Sequence, residues 1–322
     1  MASHRLLHKR PIRISPVIVG IVVAAVFSAV IFIFFFRSTG PYRRQTMVLV
    51  GSPMTVLSWN ETDRSMTLVN FPEYMAADGT HGYGTYSFEA FWKLGEIDKK
   101  DGTVLAESIS EALGIPVNWY VGPRSGIYTK SEDALTLAKR VFSASGIGSW
   151  LTGRFRTNIP LTEFIKFVWL LQLSKPDRME TFDFSHTPSL IAQDMVLADG
   201  SHQLVLATDR VDSRLAHLFE DDQIRRETLT TSVYNTTQMP SLGTRAARLL
   251  GNLGVSVVTV GNDTPEKEVC TIDGTESALK SKSAKVIEYV LGCKAVTIPQ
   301  SDRTDLTVRI GKSYAKRFLP NN

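Results

Sequence analysis

The chain has 322 residues, 43% of them hydrophobic, with 36 Lys and Arg against 32 Asp and Glu, an apolar content that fits globular protein and excludes wholesale disorder. Seven of the basic residues and none of the acidic ones fall in the first 44 positions, so the remainder carries 29 basic (36 less 7) against 32 acidic side chains. That mildly acidic balance excludes a nucleic-acid-binding surface of the usual basic kind, whatever the whole-chain pI near 9.0 suggests.

Residues 17–36, from Val17 to Phe36, form an uncharged apolar run of the length an α-helix needs to cross a hydrocarbon core of roughly 30 Å. A helix satisfies its own backbone N–H and C=O groups, so such a run is stable in lipid. A cleavable signal peptide is the alternative, but its apolar core is usually ~7–15 residues and ends at a small-residue site, whereas this run ends in Phe34-Phe35-Phe36-Arg37. An uncleaved signal anchor is therefore expected. Arg5, Lys9, Arg10 and Arg13 precede the run, and Arg37, Arg43 and Arg44 follow it. The positive-inside rule then leans toward a cytoplasmic N-terminus. The expected organisation is a cytoplasmic arm (1–16), a transmembrane segment (17–36), a polar tether (37–45) and an extracytoplasmic bulk, in a single-pass protein of the cell membrane.

After the tether, Met47 to Val50 reads as a strand, and Met54 to Trp59 with Ser65 to Phe71 as a hairpin. Tyr86 to Leu94 and Thr103 to Leu113 have helical spacing; Leu105, Ile109 and Leu113 fall on one stripe, and Gly114 is a natural stop. Val117 to Val121 reads as a strand. Helical patterns return at Ser131 to Ser143 and at Leu161 to Leu173, alternating with strands near Met179 to Phe184 and Gln203 to Ala207. His81 to Gly84 and Gly146 to Gly148 are read as glycine loops; neither follows a strand and opens a helix as a phosphate-cradling loop must. The fold class is α/β, a central sheet covered by helices over residues 46–222.

A second unit, 228–317, follows the charged connection from Phe219 to Glu227. Its expected elements are strands at Ser232 to Asn235, Val255 to Val260, Glu268 to Ile272 and Leu306 to Ile310, with helices at Leu242 to Leu253 and Ser277 to Leu291. This is a small βαββαβ-like α/β sandwich. It holds both cysteines, Cys270 and Cys293, and no CxxC or Cys/His cluster of a metal site. Outside the cytoplasm such a pair forms a disulfide contributing on the order of 3 kcal/mol; two buried thiols acting as small apolar side chains is the other reading. The six histidines show no metal-ligand spacing, no Gly-x-Ser-x-Gly elbow is present, and the five tryptophans read as packing residues.

Val233-Tyr-Asn235-Thr-Thr237, the helix from Gly243 to Leu250, Gly254 to Asn262 and the ending Asp305 to Tyr314 together resemble the LytR C-terminal domain. The preceding unit resembles the LytR-CpsA-Psr domain, through Ser65-Met-Thr-Leu-Val-Asn-Phe-Pro72, Leu113-Gly-Ile-Pro-Val-Asn-Trp-Tyr-Val121 and Thr157-Asn-Ile-Pro-Leu-Thr-Glu163. The resemblance implies an α/β/α domain of the bacterial envelope that moves a phosphate-linked glycopolymer from a polyprenyl carrier to peptidoglycan, with Arg side chains and Asp-held Mg²⁺ countering the pyrophosphate charge.

The departures from that pattern decide the expectation. Where the family reads Pro-Arg-Asp, this chain reads Pro72-Glu73-Tyr74; no Asp lies between Met47 and Trp59; and the segment from Gly122 to Arg156 is too short for the family's Arg-rich stretch. Catalytic groups that act as a unit fail as a unit, so no catalytic residue, metal site or cofactor is assigned. Arg124, Lys130, Arg140, Arg154 and Arg156 form the candidate binding set. They either line a cleft for anionic glycopolymer or a polyprenyl-phosphate lipid, since Arg forks phosphate bidentately, or make a solvated surface. The expected function is a membrane-anchored, non-catalytic envelope module that binds cell-wall glycopolymer or an envelope protein. The alternative, an active Mg²⁺-dependent phosphotransferase, requires Asp63, Arg64, Asp78 or the later arginines to converge in place of the lost groups.

Overall fold

The structure, a computed structural model, describes Val23, Phe27 and residues 41–128, 133–196, 200–215, 217–299 and 303–320. The chain divides into two units, Met1–Thr39 and Gly40–Asn322. Of the first, Val23 and Phe27 are described, both helical and exposed; the rest of the expected transmembrane segment lies outside the described residues. Among the described residues no helix is long and apolar enough to cross a membrane.

The second unit opens with β1 (Arg44–Leu49), β2 (Met54–Asn60) and β3 (Ser65–Phe71), followed by the short β4 (Ala76–Asp78) and β5 (Thr85–Ser87). Helices α1 (Phe88–Ile97) and α2 (Thr103–Leu113) lead to β6 (Trp119–Pro123), α3 (Ala134–Val141), α4 (Ala144–Leu151), β7 (Phe155–Thr157) and α5 (Leu161–Leu173). Then come β8 (Met179–Asp183), β9 (Ala192–Val196), β10 (His202–Leu206), α6 (Thr208–Leu215) and α7 (Asp222–Glu227). The main sheet has the order β7-β6-β1-β2-β3-β8, and β5-β4-β10-β9 form a smaller one.

Alternation along the strands produces three layers, because successive side chains point to opposite faces. Val48, Val56, Val69 and Phe71 meet Phe91, Trp92, Leu105 and Ile109 of α1 and α2. Met47, Leu49, Leu57 and Leu68 meet Leu137, Val141, Phe164 and Phe167 of α3 and α5 on the other face. The central strands are covered on both sides, which is why they read as continuous apolar runs. Helix α2 ends where Gly114 takes a left-handed φ of 63°, a conformation that costs glycine little.

The remaining chain forms β11 (Thr230–Asn235), α8 (Leu242–Asn252), β12 (Ser256–Asn262), β13 (Thr271–Gly274), α9 (Glu276–Leu279), α10 (Lys282–Leu291), β14 (Lys294–Thr297), β15 (Leu306–Ile310) and α11 (Lys312–Ala315). Its sheet order is β12-β11-β15-β13-β14. Val233, Ile272, Leu306, Val308 and Ile310 bury against Ala246, Leu250, Ala284 and Ile287 of the helices. Cys270 and Cys293 are joined by a disulfide in this core.

Several elements differ from the sequence reading. Strand β1 begins at Arg44, inside the stretch 37–45 read as tether. Gly146 and Gly148 lie within α4, not in a loop, because Ser143 caps a helix there and accepts from Gly146 N at 3.2 Å. The single helix expected from Ser277 to Leu291 is two. Ser281 accepts from Ala284 N at 3.1 Å to start α10, and the Glu227 carboxylate receives the N–H groups of Lys282 and Ser283 at 2.7 and 2.8 Å, an anion at the positive end of the helix dipole. Strands β9 and β14 are additions, both largely exposed and therefore without the apolar run that marks a strand.

Candidate functional site

Parallel strands β1, β3, β6 and β8 end on one side of the main sheet, where open α/β folds place their ligands. At that end β7 runs antiparallel to β6 with Gly122 opposite Arg156 and Pro123 opposite Phe155. Arg124 therefore leaves β6 where Arg154 enters β7. The Arg124 guanidinium donates to the Gly153 carbonyl at 3.2 Å, across a turn in which Gly153 has a φ of 64°. Arg124 and Arg154 are both exposed.

Arg156 takes a different course. It is 9% exposed, and its Cζ lies 3.6 Å from the centroid of the Trp92 ring. Nη2 donates to the Trp92 carbonyl at 2.9 Å, and Nη1 stands 3.2 Å from Glu96 Oε2. Trp92 can lie there only because residue 122 is glycine: a Cβ would come within 2.6 Å of the indole. The indole N–H in turn donates to the Gly126 carbonyl at 2.9 Å, tying down the loop after β6.

Beyond that loop, Tyr128 pairs with Gly51 at the end of β1, and Ser52 N donates to the Tyr128 carbonyl at 2.9 Å. Arg140 of α3 lies 5.3 Å from the Tyr128 ring centroid. Burial pushes the Tyr128 hydroxyl up to about 12, with Arg140 opposing. The fold thus brings Arg124, Arg140, Arg154 and Arg156 to the same end of the sheet but gives them different employment: Arg156 is turned inward, Arg140 stacks, and Arg124 braces a turn. Lys130 lies outside the described residues.

Glu73 follows β3 at this end, and its carbonyl accepts the backbone N–H of Glu89 at 3.0 Å, at the start of α1. Tyr74 beside it is 54% exposed. The residues that an active transferase would need do not gather here. Asp63 and Arg64 sit in the β2–β3 turn at the opposite end of the sheet, where Asp63 Oδ1 accepts from Ser65 N at 2.9 Å. Asp78 belongs to β4 of the smaller sheet and accepts from Thr85 Oγ1 at 2.7 Å. Among the described residues no group of three or more His, Cys, Asp or Glu is placed to hold a metal ion.

Sequence reasoning missed one participant. Trp92 reads as an ordinary packing residue, and its partnership with Arg156 depends on a β6–β7 register that no local pattern encodes.

Residues 228–314 match the family described as LytR cell envelope-related transcriptional attenuator. No curated protein matches the chain in sequence. Similar solved structures include Bacillus subtilis TagV, 12% identical with a TM-score of 0.36 over 53% of this chain and 94% of that one, and TagT bound to LIIa-WTA, 13% identical with a TM-score of 0.38 over 56% and 91%. YwtF (TagT) with bound octaprenyl pyrophosphate lipid is 13% identical with a TM-score of 0.36 over 55% and 90%.

Proposed function

We propose that this chain, which carries a LytR C-terminal domain over residues 228–314, is a membrane-anchored extracytoplasmic envelope protein that binds or organises cell-wall glycopolymer without transferring it. The observation that carries the reading is the capture of Arg156. Its guanidinium, the most enclosed of the arginines at the strand ends, is held by the Trp92 ring, the Trp92 carbonyl and Glu96. Glu73 adds negative charge at the end of β3. Pyrophosphate chemistry needs cations aimed at the developing charge; a cation held by a carboxylate and an aromatic face is withdrawn from that task. The exposed Arg124 and Arg154 suit weak, screened contact with an anionic polymer. The family match supports the envelope setting.

The test incubates the purified full chain with a polyprenyl-pyrophosphate-linked glycopolymer and peptidoglycan, with and without Mg²⁺. Co-sedimentation with the polymer and no release of polyprenyl phosphate is the expected result. Mg²⁺-dependent release would establish the phosphotransferase instead.

A further inference from the structure

At the end of the main sheet away from Arg124 and Arg154 lies a cleft of about 390 Å³, within the range of small-molecule sites, roughly 300–1,000 Å³. Arg44, on its floor, is 7% exposed. The guanidinium makes one long hydrogen bond, Nη1 to Ser58 Oγ at 3.4 Å, and lies 5.4 Å from the Phe219 ring centroid. No ion pair engages it among the described residues. A guanidinium has five N–H donors, and a buried charge is ordinarily held with a partner. Arg44 therefore presents to the cleft a cation with no carboxylate partner.

The walls have the opposite sign. Six carboxylates and two arginines line the cleft. Glu220 is engaged by Arg225 and His217, and Asp221 by Lys282. Asp177, Glu180 and Asp222 are exposed and have no ion-pair partner among the described residues. A simple anion that reached Arg44 would pass a rim on which the exposed carboxylates outnumber the one exposed arginine, Arg178, which donates to the Asp63 carbonyl at 3.3 Å, and a simple cation at the rim would leave Arg44 without an anion.

We infer that the cleft binds a small zwitterion, with an oxyanion against Arg44 and a primary ammonium among Asp177, Glu180 and Asp222. Phosphoethanolamine, as in an aminophospholipid head group, and a free amino acid share this chemistry. The inference stands independently of the envelope role, since neither glycopolymer binding nor its absence bears on this cleft.

Calorimetric titration of the full chain with O-phosphoethanolamine, alanine, glycerol phosphate and ethanolamine tests it. At least one zwitterion binds, and the two single-charge probes bind about tenfold more weakly or less, as expected for loss of one charged contact. Whichever zwitterion binds more tightly identifies the source. Exchanging the exposed rim, Glu180→Gln with Asp222→Asn, weakens the zwitterion about fivefold and leaves the thermal midpoint unchanged, while Arg44→Gln abolishes binding. Failure of both zwitterions to bind, glycerol phosphate binding as tightly as they do, or survival of binding in a folded Arg44→Gln chain would each overturn the inference. If Arg44→Gln does not fold, the rim variant decides: unchanged affinity there overturns it.

Discussion

Arg248 grips Asp212 with two parallel hydrogen bonds, Nε to Oδ2 and Nη2 to Oδ1, each 2.7 Å. The same guanidinium donates to the Glu111 and Ala112 carbonyls at 2.7 and 2.9 Å, in the last turn of α2. A cation is thereby placed at the negative end of a helix dipole while it joins α8 to α2 and α6. Asn252, one turn further along α8, donates to the Gly114 carbonyl at 3.1 Å. Within the unit Gly40–Asn322, α8 thus joins the C-terminal sheet and its helices to the three-layer part.

Arg248→Ala is expected to lower stability by about 2–3 kcal/mol, since it removes charge-assisted bonds and leaves helix-end carbonyls unanswered. Arg248→Lys should recover less than half of that, because an ammonium cannot reproduce the planar fork. Urea denaturation measures both, and equal stability of the Lys variant and the parent would show that only charge matters here.

A second connection is buried. Lys166 on α5 meets Glu61 of the β2–β3 turn at 2.6 Å, with side-chain exposures of 5% and 13%. Removing one partner of such a pair strands the other charge, so Lys166→Met should cost about 3 kcal/mol. Adding Glu61→Leu should restore part of the loss, because an apolar pair often replaces a buried ion pair without penalty, while Glu163 Oε2, 3.7 Å from Lys166 Nζ, is still left without its cation. A double-mutant cycle in urea reads the coupling; purely additive losses would show that solvent reaches the pair.

What the sequence made legible follows from where burial is two-sided or one-sided. Strand β3 and helices α2 and α5 were read with their observed bounds, since their apolar spacing is unbroken and Gly114 and Pro160 flank them. Strand β14 was missed because all four of its residues are exposed, which leaves no apolar period to see. The arginine set was legible as residues near the strand ends, but not in its employment. Whether Arg156 faces solvent or Trp92 depends on the β6–β7 register and on Gly122, a long-range fact. The cleft at Arg44 is assembled from the β2–β3 turn, the start of β8 and the segment before α7, which no single window of sequence joins.

The disulfide gives a third prediction. Cys270 and Cys293 are 23 positions apart and both sit in the C-terminal core. Closing a loop of that size restricts the unfolded chain by an amount worth on the order of 3 kcal/mol. Reductant should lower the thermal midpoint of the parent and leave that of the Cys270→Ala, Cys293→Ala double variant unmoved. A parent indifferent to reductant under conditions that expose free thiols would remove the stabilising role.

Stability at high pH supplies the fourth. Tyr314 is 2% exposed, and burial, aided by the Glu111 charge and opposed by Arg317, pushes its hydroxyl up from 10.0 to about 12. Tyr42 moves in the same direction for the same reason. A hydroxyl that holds its proton more tightly when folded contributes stability that is complete below the unfolded value of 10.0 and is lost as pH rises from there through the folded value of about 12. Within that window one such group changes stability by up to about 1.4 kcal/mol per pH unit. Urea midpoints measured from pH 8 to 11.5 should therefore be flat at first and then fall. Tyr314→Phe, which cannot ionise, should match the parent's pH dependence below pH 9, whatever its absolute stability, and fall less steeply above pH 10. Equal slopes in the two proteins would mean that the Tyr314 hydroxyl titrates as freely in the folded chain as in the unfolded one, and that α11 does not seal it against α2 and α8.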